Sequence, residues 1–410
     1  MNRTSKFIDP GLFFLALLAT ALGLFFIFDA GYPRSIGLNR GMWPPEFKNQ
    51  LTFLVPSLIA CMLCARVRPE TWQKVSKPIW LVVLAMLGLI FKLGVEMNGA
   101  KRWLGVGPAL IQPAELAKLA AVLYLAGVFA ERKPWPANLK PRRDWVHWMD
   151  TIAIPKLRRA FPGILILFAA VLIDKEPDLG TAAVMAVAAF ALFIPGGVSK
   201  KSLIAAVLVA VCGSWALVKQ EPYRLERIRN HIERWRPDNV DDTSYQTVQS
   251  ELAMASGGLF GVGVGNGRAK HVIPATTTDF ILATIAEEFG LVGALGVLAV
   301  LAAIVWRLLR LSAKAPTKFG RLVLFGFASW FGIQACVNVM MANGFLPAIG
   351  IPLPFISSGG SSLLTLWCAV GVAQSVCRAP SPAKEKQAAR PASGRAVVSP
   401  SHPRMGARLG

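Results

Sequence analysis

The run GLFFLALLATALGLFFIF, residues 11–28, holds no charged side chain. At a helical rise of 1.5 Å per residue, such a run extends about 27 Å, close to the hydrocarbon thickness of a bilayer. No small-residue cleavage motif closes it, so it reads as a retained span and not as a cleaved leader. Outward from it, the spans are expected near residues 10–29, 50–65, 79–95, 113–130, 161–174, 180–195, 203–219, 280–306, 322–342 and 361–377, about ten in all. Bulk composition agrees: 54% of residues are hydrophobic and 16% charged, against roughly 25% charged in soluble domains. The expected fold class is an all-α polytopic membrane protein, because helices satisfy their own backbone groups inside lipid.

The formal net charge of +21 invites a nucleic-acid reading. The basic residues, however, sit in short connections: before the first span, after the second, across 131–160, after the sixth and after the eighth. If the chain crosses at each run, these sets share one side, which the positive-inside rule makes cytoplasmic. Nucleic acid is therefore excluded as a partner, and both termini are expected inside. Residues 1–378 form the transmembrane domain. The tail 379–410, rich in Ala, Pro, Ser and basic residues, is expected to be disordered, either solvated or resting on anionic lipid. The outside then holds the loops 96–112 and 343–360 and a large loop, 220–279. Tyr223 to Arg236 within it carries charges at helical spacing, which suits an interfacial helix and equally a basic surface for lipid headgroups.

Six cysteines and four histidines are scattered. Cys61 and Cys64 lie in an apolar run without a second ligand pair, so they read as small hydrophobes, and no metal site is expected. Ionisable residues inside spans are expensive and mark candidate sites. Glu115 and Lys118, three apart on the fourth span, can pair on one face, either to permit insertion or to line a cavity. Glu287 and Glu288 point about 100° apart, so one of them at most is expected to face a given cavity. Asp178, in Pro177-Asp178-Leu179-Gly180-Thr181, suits a helix cap. The glycine-rich run 257–267 does not match a phosphate loop, but its amides suit either close packing or a diphosphate cradle. The run 357–362, SSGGSS, suits either a tight break or a pocket wall.

Asp279 stands at the mouth of the eighth span, in Thr276-Thr277-Thr278-Asp279-Phe280. Apolar walls raise the pKa of such a carboxyl and basic loop residues lower it. A carboxylate there can take a proton from a substrate hydroxyl, and capping the next helix is an equally natural role.

These residues, taken together, resemble the SEDS family of bacterial membrane proteins from the first span to the last. The motifs are Gly99-Ala100-Lys101-Arg102-Trp103, Gln112-Pro113-Ala114-Glu115 with Lys118, and Pro177-Asp178-Leu179-Gly180-Thr181. In the long loop come Tyr245-Gln246, Gln249-Ser250, Ser256-Gly257-Gly258 and Pro274 with Thr278-Asp279-Phe280. Glu287-Glu288, then Gly350 to Ser357 and Gly359 to Ser362, complete the set. The resemblance implies peptidoglycan glycosyl transfer, polymerising lipid II on the outer face of the bacterial cytoplasmic membrane, in division or elongation. It makes Asp279 the catalytic carboxylate and implies substrate binding by Arg102, Trp103, Glu115, Lys118, Gln249, Lys270, Thr278, Ser357 and Ser361. Arg102 and Lys270 are its expected diphosphate contacts. It implies a class B penicillin-binding protein and membrane lipids as partners, and leaves a divalent cation, Mg2+ or Mn2+, open as a cofactor. A lipid II transporter and a scaffold for the transpeptidase are the competing readings. The chain departs from the family pattern at Glu176, where Gln is usual, and at Ala275, Thr277 and Ser358. Gly263-Val264-Gly265 with Lys270 looks more like the division members, and Gly350 to Pro354 more like the elongation members.

Overall fold

The computed structural model describes residues 9–97, 99–106, 109–132, 154–198, 200–220, 222–236 and 244–378. The tail 379–410 and most of the basic connection after the fourth span lie outside them. The helices are α1 (Pro10–Gly37), α2 (Pro45–Arg66), α3 (Pro69–Leu93), α4 (Pro113–Glu131), α5 (Ile154–Lys175), α6 (Leu179–Ala191) and α7 (Lys200–Gln220). The short helices α8 (Pro222–Ile232), α9 (Tyr245–Ser256) and α10 (Ala269–Val272) follow within the large loop. Then come α11 (Ile281–Lys314), α12 (Lys318–Ala342) and α13 (Gly360–Cys377). Among the described residues, seven helices are long and apolar enough to cross a membrane: α1 to α4 and α11 to α13.

Local chemistry sets the helix starts. α1 to α4 each open on a proline at the first turn, where the missing N–H costs nothing and φ is already helical. Asp9 caps α1 by accepting from the Leu12 amide, and its carboxylate pairs with Arg307 of α11 at 2.7 Å. α4 and α13 are the central helices, 78% buried in their apolar windows, whereas α2 is 17% buried and faces outward. Trp80, Trp330, Trp367, Phe327 and Phe355 fill the space around them.

The expectation of an all-α chain holds for the long helices, with one addition. The connection between α3 and α4 is an antiparallel meander, β1 (Val95–Met97), β2 (Ala100–Val106) and β3 (Ala109–Ile111), with Glu96 opposite Lys101 and Leu104 opposite Ile111. Two of its strands have three residues, too few to show a two-residue period in the sequence.

The glycine-rich run has a structural task. α11 breaks at Gly290, which has φ +68° and ψ −170°. The residues before the break, Glu287 and Glu288, turn their carbonyls to the amides of Val262 and Gly263 at 2.9 and 3.1 Å. The amides after it, Leu291 and Val292, donate to the carbonyls of Gly258 and Leu259. The loop thus supplies the hydrogen bonds that the broken helix loses. A Cβ at Gly261 would lie 2.1 Å from the Glu288 carbonyl oxygen, so only glycine allows this approach.

Candidate functional site

The site is assembled around the turn 276–279. Asp279 is half-buried immediately before α11. It does not cap that helix: the cap position is Phe280 and no side chain bonds there. Its main chain is clamped from two directions instead. Asn338 of α12 donates from Nδ2 to the Asp279 carbonyl at 2.8 Å and to the Ile351 carbonyl at 2.7 Å. Ser357 donates from Oγ to the Thr278 carbonyl at 2.5 Å and accepts from the Leu353 amide, while the Ser358 amide donates to the Thr277 carbonyl. The segment 350–358 therefore packs over the Asp279 turn, and a Cβ at Gly350 would sit 3.7 Å from Asp279 Oδ2.

Behind this layer lies a buried polar relay. Lys118 donates to Glu115 Oε1 at 2.7 Å and to Gln334 Oε1 at 3.0 Å, and both charged side chains are almost fully buried. Gln334 also accepts from the Trp330 indole and donates to the Pro352 carbonyl. The expected pair on α4 thus forms, and its second oxygen, Glu115 Oε2, is buried without a partner. Sequence reasoning missed Gln334 and Asn338, which lie four apart in an apolar span. Two amides at that spacing carry no charge, so a search for ionisable residues passes over them.

On the opposite side Arg102 of β2 donates to the carbonyls of Glu176 and Pro177. Asp178 caps α6 as expected, accepting from Thr181 N–H at 3.1 Å, and also accepts from Gln112 Nε2 at 2.9 Å. Gln112 N–H in turn bonds Ser361 Oγ, and that hydroxyl donates to the Leu110 carbonyl, joining the meander to α13. Desolvation pushes the Asp279 carboxyl up to about 6; the Asp178 charge adds to the rise, and the Arg102 guanidinium opposes it. Trp103 and Gln249 are half-buried, on β2 and α9.

Two expectations need correction. Lys270 is not presented outward: its side chain is 2% exposed and lies between Asp29, at 3.1 Å, and Glu288, at 2.6 Å. Both Glu287 and Glu288, and not one of them, serve the same surface. Glu288 accepts from the amides of Gly265 and Gly267, and Glu287 from those of Arg268 and Ala269. The loop wraps around the helix, so two directions 100° apart both meet it. With its amides engaged this way, the glycine-rich run packs the fold and offers no diphosphate cradle. Among the described residues no group of three His, Cys, Asp or Glu side chains could hold a metal ion.

Residues 10–381 match the family model FTSW_RODA_SPOVE, described as cell cycle protein. The chain is 34% identical over 336 residues to stage V sporulation protein E of Bacillus subtilis, covering 81% of this chain and 86% of that one. It is 32% identical over 375 residues to the probable peptidoglycan glycosyltransferase FtsW of Aeromonas salmonicida, covering 90% of each. Among solved structures, it superposes with TM-score 0.70 at 27% identity on a chain of a peptidoglycan synthase complex that coordinates polymerization and crosslinking, covering 90% of this chain and 97% of that one. The rod shape determining protein RodA of Thermus thermophilus matches with TM-score 0.63 at 28% identity, over 90% and 96% of the two chains.

Proposed function

The chain belongs to the FtsW/RodA/SpoVE family of cell cycle proteins, and on that premise we propose that it is a peptidoglycan glycosyltransferase that polymerises lipid II into β-1,4 glycan strands. Asp279 is the general base. It takes the proton of the acceptor sugar hydroxyl, whose oxygen attacks the donor anomeric carbon while the lipid diphosphate leaves from the opposite face, so the α-linked donor gives a β linkage. The observation that carries this reading is the setting of Asp279: a half-buried carboxyl that does not cap a helix, held through its main chain by Asn338, with a pKa raised to about 6. A base poised near working pH combines availability with proton affinity.

Arg102 offsets the charge of the leaving diphosphate, and the buried pair Lys118 and Glu115 serves the donor site indirectly, bracing through Gln334 the segment that packs over the Asp279 turn. Trp103, Gln249 and Thr278 line the path of the sugars and peptide, and the buried hydroxyls of Ser357 and Ser361 hold the backbone beside it. Lys270 supports the loop and, through it, the Asp279 turn. The three remaining expected spans are α5, α6 and α7, which complete about ten crossings, with both termini cytoplasmic and Asp279 at the outer face of the bacterial cytoplasmic membrane. A class B penicillin-binding protein is the partner that crosslinks the product, a reading supported by the likeness to the synthase complex.

The test supplies purified protein and such a transpeptidase with lipid II in vesicles, and resolves the glycan product by gel. Wild type makes chains and Asp279→Ala makes none. Equal product from both would remove the catalytic role, and lipid scrambling without product would favour transport.

A further inference from the structure

Among the described residues, Glu176 is the carboxyl whose two side-chain oxygens are both buried and both without a hydrogen-bond partner. It is 2% exposed, in the break between α5 and α6. The cation beside it, Arg102 of β2, directs Nε to the Glu176 carbonyl at 2.9 Å and Nη2 to that of Pro177, both main-chain groups. Three carboxyls share this one guanidinium: Glu176, Asp178 at the cap of α6, and Asp279 before α11. Glu115 of α4 faces Asp178 and is balanced by Lys118. Asp174 and Lys175 are the charged neighbours on α5 itself.

Buried ionised groups need donors, and like charges sharing one site do not all ionise. Asp178 has two donors, the Thr181 amide and the Gln112 side chain. Glu176 has none. We propose that Glu176 is held as the neutral carboxylic acid and acts as a positioning residue, keeping a second negative charge away from Asp279 and from the diphosphate released in the transfer. The proposal rests on the polymerase reading above. Its consequence is an upper pH limit: once Glu176 ionises, the cluster around Arg102 carries an excess charge that repels the anionic donor. Burial first, then the Asp178 charge, place that ionisation at about 8, with Arg102 opposing both.

Two measurements test this. Wild type and Glu176→Gln, the permanently neutral isostere, are assayed for glycan synthesis in vesicles across alkaline pH. The wild-type rate falls about tenfold for each pH unit beyond the midpoint, whereas Glu176→Gln retains its neutral-pH rate there. Loss of activity at neutral pH in a folded Glu176→Gln, or an unchanged alkaline limb, overturns the proposal. Independently of turnover, infrared titration of protein carrying isotope-labelled glutamate reads the carbonyl stretch of a protonated side chain. The band is expected at neutral pH in wild type and absent in Glu176→Gln. If that variant fails to fold, Glu176→Asp replaces it, since the band then leaves the glutamate-labelled set. No such band in wild type overturns the proposal even where glycan synthesis is intact. No synthesis by wild type, with the band present, overturns the polymerase reading alone.

Discussion

The side-chain amide of Asn338 donates to the main-chain carbonyl of Asp279 at 2.8 Å, so the carboxyl proposed as the base is positioned from a neighbouring helix and not by its own. The same nitrogen holds the Ile351 carbonyl at 2.7 Å. Asn338→Ala leaves two buried carbonyls unpaired, a cost of about 1–3 kcal/mol each. Turnover is expected to fall about 100-fold through misplacement of the base, with a much smaller change in KM for lipid II. A rise in KM alone, with kcat intact, would show that Asn338 does not position Asp279.

The acid side of the pH profile should report Asp279. A base works only when ionised, so the rate rises through a midpoint near 6 and then levels. Arg102 lowers that midpoint. Arg102→Gln should therefore move the acid limb to higher pH, in addition to reducing the rate. An acid limb that stays in place in this variant would separate Arg102 from Asp279.

Glu115 and Lys118 should behave as a unit. Their charged atoms are 2.7 Å apart and nearly fully buried. Breaking such a pair by removing one partner costs about 3–5 kcal/mol, while replacing both is nearly neutral. In thermal melts in detergent, Lys118→Met should be much less stable than Glu115→Gln/Lys118→Met. Glycan synthesis should remain low in both. Equal melting of the single and double variants would mean the charges are not coupled.

Gly290 should be irreplaceable for a local reason. It adopts φ +68°, and a Cβ there would meet the Leu259 carbonyl oxygen at 2.3 Å. Gly290→Ala costs roughly 1–3 kcal/mol for a backbone conformation that essentially only glycine adopts, before any clash. The amides of Val262, Gly263, Leu291 and Val292 should then exchange hydrogen faster, since these four bonds bridge the loop to α11. Unchanged exchange would mean the loop does not plug the break.

The amino-acid sequence by itself determined the membrane class, the long helices and their proline starts, because apolar runs of span length and N1 prolines act within one segment. It also determined that Glu115 meets Lys118 and that Asp178 caps α6, since both are contacts three residues apart. Tertiary structure decided everything that needed two distant segments. It brought Asn338 and Ser357 to the Asp279 turn and placed Phe280 at the cap of α11, so capping, one of the two roles open to Asp279, is not the one it takes. It turned Lys270 inward between Asp29 and Glu288, and gave the glycine-rich run to the break at Gly290. The physical reason is the backbone. A broken helix and a buried turn must find donors and acceptors wherever the fold supplies them, and a one-dimensional pattern does not say which distant amide or carbonyl that is.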